Sequence, residues 1–295
     1  MKSLVALLLA LNWKAEPQFG GFYAAGEHFQ KAGLQVQILE GGSGTPTVQM
    51  LVNGKTDYAI VSAEEILIAN ERNPKNRVLA VFAVYQTNPQ MIMCHADKKF
   101  ASLRDVYAST ATLAQQSGLT YAQYLKNKYP KSRVRVVPYL GGITNFLADP
   151  NFCQQGFITS EPLAAEKAGA KVTPFLIAHE GFNPYTTVLA VREDTWRKDP
   201  DQVKRVVRAV RAGWNDYLKN PQPANQIMQG LNKSMDAETF RKSAEAQIIL
   251  IRDNETEKKG LGLMTAERWT ELIRQLRELK VLKKDVKAGD VFLSL

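Results

Sequence analysis

Short apolar, β-branched runs alternate along this chain with stretches of helical periodicity. The runs at 5–12, 35–39, 58–62, 77–85, 90–95, 134–139, 156–159, 172–177 and 187–191 predict strands. Helices are predicted between them at 22–32, 46–53, 63–72, 121–129 and 163–168. Such alternation is the pattern of an α/β protein in which helices cover parallel sheets. The C-terminal third changes character. Asp199-Pro200 supplies an N-cap and a first-turn proline, and Val203, Val206, Val207, Val210, Trp214 and Leu218 follow at helical spacing. A last helix starting near Thr265 carries Trp269, Leu272, Ile273, Leu276 and Leu279 on one face, which must be buried against the body of the protein.

Two segments interrupt this pattern as crossings between lobes: Tyr85-Gln86-Thr87-Asn88-Pro89 and Gly181-Phe182-Asn183-Pro184-Tyr185. They predict a discontinuous first lobe, residues 1–89 with 187–295, and an inserted second lobe, 90–186. The length, 295 residues, agrees with two cores, because a single core stops growing at about 250–300 residues. The start, Met1-Lys2-Ser3 followed by Leu4 to Leu11, imitates a secretion signal but lacks a small-x-small cleavage site, so residues 5–12 are expected to form the first strand. The run is too short to span a bilayer.

Lysine and arginine outnumber the acids by 38 to 29, a net charge of +9. The local concentration at Lys204, Arg205, Arg208 and Arg211 lies opposite the valines of its helix and reads as a solvated face. No zinc-finger spacing or RNA-binding aromatic box accompanies it, so no nucleic-acid partner is expected. The two cysteines, Cys94 and Cys153, form no CxxC pair; a single disulfide and two partly buried thiols are both open.

The chain carries no enzymatic signature. Its three histidines lie in no HExxH motif, there is no GxSxG elbow, and Gly54-Lys55-Thr56 precedes a strand where a phosphate-binding loop would follow one. No metal, cofactor or catalytic residue is expected. Two loops suit ligand capture instead. Gly41-Gly42-Ser43-Gly44-Thr45-Pro46-Thr47 and Gln116-Ser117-Gly118-Leu119-Thr120 each leave a strand and open a helix, where free N–H groups gather.

Several segments resemble one known group. Leu11-Asn12-Trp13, Glu16-Pro17 and Gly20-Gly21-Phe22-Tyr23, then Gly54-Lys55-Thr56-Asp57-Tyr58, Gly156-Phe157-Ile158-Thr159-Ser160-Glu161-Pro162, Gly181-Phe182-Asn183-Pro184-Tyr185 and Gly213-Trp214-Asn215-Asp216-Tyr217, are similar to thiamine-pyrimidine precursor-binding proteins. These belong to the nitrate/taurine/pyrimidine group of solute-binding proteins of ABC importers. The resemblance implies a two-lobed periplasmic-binding-protein fold of type II with the ligand cleft between the lobes. It implies no chemistry, a small heteroaromatic ligand sandwiched by Trp13 and Phe157, Asn12 beside it, and Glu161 reading an amino group. Gly20, Ser62, Glu65, Tyr85, Ser117 and Tyr185 complete the expected ligand-binding set.

A thiamine-precursor pyrimidine is the ligand so implied; Phe157 stands where pyrimidine binders often carry Tyr, which leaves a flavin, a sulfonate or an aromatic acid as alternatives. An enzyme of the pyrimidine-synthase kind shares the fold, but residues 59–65 contain neither its lysine nor its histidine, and Phe182-Asn183-Pro184-Tyr185-Thr186 replaces its cysteine run. The expected partner is an ABC-transporter permease in the inner membrane and the expected state a monomer. The expected location is periplasmic, or lipid-anchored and extracytoplasmic, with an export signal outside this sequence.

Overall fold

The computed structural model describes residues 6–295. The sequence expectations for Met1 to Val5 fall outside the described residues. The strands are β1 (Leu7–Ala10), β2 (Val36–Leu39), β3 (Tyr58–Val61), β4 (Val78–Ala83), β5 (Gln90–His95), β6 (Thr112–Gln115), β7 (Arg135–Pro138), β8 (Phe152–Phe157), β9 (Val172–Leu176) and β10 (Val188–Arg192). The chain divides into two compact units. One comprises the residues up to Gln86 with Pro184–Leu295; the other is Thr87–Asn183. The two breaks, 86/87 and 183/184, fall within the crossing segments 85–89 and 181–185 named from sequence, three residues before the lobe bounds drawn there at 89/90 and 186/187.

The first unit holds a sheet of order β2-β1-β3-β10-β4, and the second a sheet of order β7-β6-β8-β5-β9. The expectation of parallel sheets is corrected in both. β2, β1 and β3 run parallel, but β10 is antiparallel to β3 and β4. Likewise β7, β6 and β8 run parallel while β5 is antiparallel to β8 and β9. The exceptions, β5 and β10, are the strands that immediately follow the two crossings. They enter their sheets from the crossing end rather than from a covering helix, and so run backwards. Every residue of β3 and β4 is buried, as expected of strands covered on both faces.

Local signals account for most helix boundaries. Asp199 caps the helix Pro200–Lys219 by accepting from Gln202 N–H at 2.9 Å, and Thr265 caps Ala266–Glu278. Trp269, Leu272, Ile273 and Leu276 are buried in the first unit, Trp269 stacking on Phe292. The basic face of Pro200–Lys219 is only partly a solvated one. Lys204 and Arg208 are exposed, but Arg205 donates to the Ala32 carbonyl at 2.8 Å, and Arg211 to the carbonyls of Leu261 and Leu295.

In the second unit Cys94 and Cys153 stand opposite each other in the β5–β8 ladder and form a disulfide. That settles the alternative left open by sequence. Met91, Met93, Phe146 and Ala165 form a buried cluster beside it.

Candidate functional site

In the first unit, β1 ends at Ala10 and the chain turns through Asn12 to Glu16, at the C-terminal edge of the parallel strands, where ligands of open α/β sheets bind. This turn has few backbone bonds of its own and is held by groups from elsewhere in the unit. The Trp13 carbonyl accepts from Gly41 N–H at 3.0 Å, the Ala15 carbonyl from the Asn232 amide at 3.2 Å, and the Pro17 carbonyl from the Gln247 amide at 3.0 Å. Asn232 and Gln247 are buried. Gly41 is required here, since a Cβ would come within 2.1 Å of the Leu11 carbonyl oxygen. So anchored, the turn leaves Asn12 and Trp13 half-buried, and the indole N–H donates to Glu16 at 3.2 Å.

In the second unit, β8 ends at Phe157, which is half-buried, and Glu161 opens the next helix. One carboxylate oxygen of Glu161 accepts from Phe157 N–H at 2.7 Å and from the Ser160 hydroxyl at 2.5 Å; the other accepts from the Tyr139 hydroxyl at 3.2 Å. Those three donors occupy three of about four lone-pair directions of a carboxylate. Gly156 makes room for it, because a Cβ there would lie 2.6 Å from a Glu161 oxygen. The Ile158 N–H donates to the Pro89 carbonyl, tying this corner to the segment just after the first crossing.

The other expected contacts divide. Ser117 is exposed in the turn between β6 and the helix Thr120–Lys128, where Gln116 N–H is fixed by the Gln155 side chain at 2.6 Å. Ser62 and Glu65 form a reciprocal capping box on the helix Ala63–Arg72: Ser62 N–H donates to Glu65 at 2.8 Å, and Glu65 N–H to the Ser62 hydroxyl at 3.3 Å. Burial pushes the Glu65 carboxyl above its ordinary range, and the bonds from Ser62 pull the other way.

Gly20, Tyr85 and Tyr185 are packing residues of the first unit. A Cβ on Gly20 would meet the Tyr217 ring at 2.1 Å. Tyr85 is fully buried, its hydroxyl donating to Gln247 at 2.7 Å, and burial raises its titration well above that of an ordinary phenol. Tyr185 is buried too, its hydroxyl accepting from Thr265 N–H at 3.0 Å while the Arg268 guanidinium stacks 3.9 Å from its ring. Tyr85 acts on the Trp13 turn at one remove, through Gln247. Asn232 and Gln247 carried no local signal, since only the folded chain brings residues so distant in sequence to the first turn.

The family model described as NMT1/THI5 like matches residues 16–224. The riboflavin-binding protein RibY of Chloroflexus aurantiacus is 23% identical over 303 aligned residues, covering 98% of this chain and 85% of its own. The periplasmic aliphatic sulphonate-binding protein SsuA of Escherichia coli superposes with a TM-score of 0.71 at 10% identity, covering 98% of this chain and 92% of its own. The putative periplasmic sulfonate-binding protein SsuA of Methylobacillus flagellatus gives 0.70 at 12% identity, with 99% and 92% covered. A Candida albicans protein described as having the generic periplasmic binding protein fold gives 0.66 at 12% identity, with 97% and 93% covered. The fold is that of the periplasmic binding proteins.

Proposed function

This chain belongs to the NMT1/THI5-like family, and from that premise we propose that it is the substrate-binding component of a bacterial ABC importer, which captures a heteroaromatic nutrient and performs no chemistry on it. One observation carries the reading. Each unit presents, at the end of a strand (β1 and β8), a half-buried aromatic ring beside a carboxylate held by hydrogen bonds. In the first unit these are Trp13 and Glu16, with Asn12; in the second, Phe157 and Glu161. A ring stacked on either aromatic gains apolar contact plus offset stacking worth about 0.5–1.5 kcal/mol. The remaining lone-pair direction on Glu161 suits a ring amino group. Ser117 is assigned a peripheral contact from its exposed turn.

The Cys94–Cys153 disulfide supports an extracytoplasmic location, since reducing compartments keep such thiols apart. A membrane permease is the proposed partner, recognising the ligand-bound form. The resemblance of the site segments supports a thiamine-precursor pyrimidine as ligand. The riboflavin-binding relative, aligned over nearly the whole chain, supports a flavin as the second reading.

A thermal-shift screen against aminopyrimidines, thiamine, riboflavin, sulfonates and aromatic acids tests both. A ligand at about 100 times its Kd adds roughly 2.7 kcal/mol of stability. Stabilisation by an aminopyrimidine or a flavin selects between the two; stabilisation by sulfonates alone would overturn the aromatic site. For whichever ring binds, Trp13→Ala is expected to weaken affinity by about 30–100-fold, or 2–3 kcal/mol. Glu161→Gln is expected to weaken an amino-bearing ring selectively. Equal affinities for wild type and both variants would refute the assignment.

A further inference from the structure

Within the first unit, Lys14, Glu40, Leu231, Asn232, Lys233 and Ser234 line a groove of about 330 Å³. Its place follows from the anchoring of the first turn. Lys14 directly follows Trp13, Glu40 directly follows β2, and Asn232 holds the Ala15 carbonyl. The Gly41 N–H bonded to the Trp13 carbonyl makes the wall beside Glu40 continuous with the turn that presents the indole.

The charges in this groove are not spent on one another. Lys14, Lys233 and Glu40 are exposed, and among the described residues none of the three makes a side-chain hydrogen bond or ion pair. Elsewhere on the surface, neighbouring opposite charges do pair, as in Lys31–Glu27, Lys242–Glu238 and Lys259–Glu255. The Tyr23 hydroxyl is buried and has no hydrogen-bond partner; burial, and then the Glu40 charge, raise its titration. Two ammonium groups against one carboxylate leave the groove net positive, with the carboxylate available to a hydroxyl of the same ligand.

We propose that this groove receives an anionic, phosphate-type tail on the ring that Trp13 stacks, which makes the cargo a phosphorylated heteroaromatic rather than a neutral one. Lys14 and Lys233 supply the charge-assisted contacts to the tail, and Ser234 lies beside them. This rests on the reading of Trp13 as a ligand contact, and the test separates the two.

Titration calorimetry on the full chain would compare riboflavin with flavin mononucleotide, and a hydroxymethyl-aminopyrimidine with its phosphate. The phosphorylated member of the pair that binds is expected to bind about tenfold tighter at low salt, with the advantage shrinking as salt rises. That advantage disappears in the Lys14→Gln/Lys233→Gln double variant and grows about threefold or more in Glu40→Gln, which removes the one negative charge. Equal affinities within each pair, or an advantage that survives the double variant, overturn the proposal.

If no ring binds, the Trp13 reading fails and the groove is judged separately with inorganic pyrophosphate, followed by amide chemical shifts. Saturable shifts at Lys14, Glu40 and Asn232 to Ser234 that vanish in the double variant uphold the groove as an anion site. Shifts absent there through the millimolar range overturn it.

Discussion

The Cys94–Cys153 cross-link joins neighbouring strands of the second unit and leaves the first untouched. The sequence separation is 59 residues, for which the loss of loop entropy in the unfolded chain amounts to about 4 kcal/mol. Both cysteines are about 1% exposed, so the bond is shielded from mild reductants in the native state. Replacing both residues by alanine should therefore lower the stability of the second unit by about 4 kcal/mol. With a urea dependence of about 1–2 kcal/mol per M, its midpoint should fall by about 2–4 M. All four tryptophans, Trp13, Trp196, Trp214 and Trp269, lie in the first unit. Tryptophan fluorescence thus follows that unit alone, whereas far-ultraviolet circular dichroism follows both. The expected outcome is a new early transition in circular dichroism that fluorescence does not see, reproduced in wild type unfolded under reducing conditions. Coincident shifts of both probes, or none in either, would refute the assignment of the cross-link to one independently cored unit.

Gly20→Ala places a methyl group 2.1 Å from the ring of Tyr217, which is buried and fixed by its hydrogen bond to Asn225 at 2.8 Å. Overpacking should cost about 3 kcal/mol and lower Tm by about 6–12 °C, with ligand affinity per folded molecule nearly unchanged; lost binding at unaltered Tm would restore Gly20 as a contact. Glu180 shows the opposite balance to Glu65. Burial raises its titration, but the bonds from Lys128 and Tyr129 outweigh it and hold the carboxyl below its ordinary range. A depressed folded-state value means stability that is present above the ordinary carboxylate pKa and lost as pH falls through the folded one. The second unit of wild type should accordingly lose more stability between pH 7 and pH 3 than that of Glu180→Gln, measured by urea midpoints; identical acid losses would exclude this role.

Much of the architecture was legible along the chain because its signals are local. Ala63–Arg72 begins where the sequence pattern placed it, since Ser62 and Glu65 cap its start from within four residues. Asp199-Pro200 and Thr265 marked the two long C-terminal helices for the same reason. The strand β6, Thr-Leu-Ala-Gln, was implied only by the loop that leaves it and received no range, because it has no apolar run; in the fold it lies between β7 and β8 with all four residues buried. The start of β8 was missed for a related cause. Gln154 and Gln155 look like loop residues, yet both are buried, with Gln155 accepting from Gln116 N–H and Gln154 donating to the Gly142 carbonyl.

The candidate site divides along the same line. Trp13, Phe157 and Glu161 were nominated from sequence, and the bonds that hold Glu161 to Phe157 and Ser160 span no more than four residues. What sequence by itself determined was therefore the alternation of elements, the capped helix starts and the short motifs, all set by interactions within a turn or two. The tertiary structure alone decided the reversed strands β5 and β10, the joining of Cys94 to Cys153, and the burial of Tyr85 and Tyr185. It also brought Asn232 and Gln247 to carbonyls more than 200 positions away. Those outcomes depend on which surfaces meet once the chain has folded, and no local periodicity encodes that meeting.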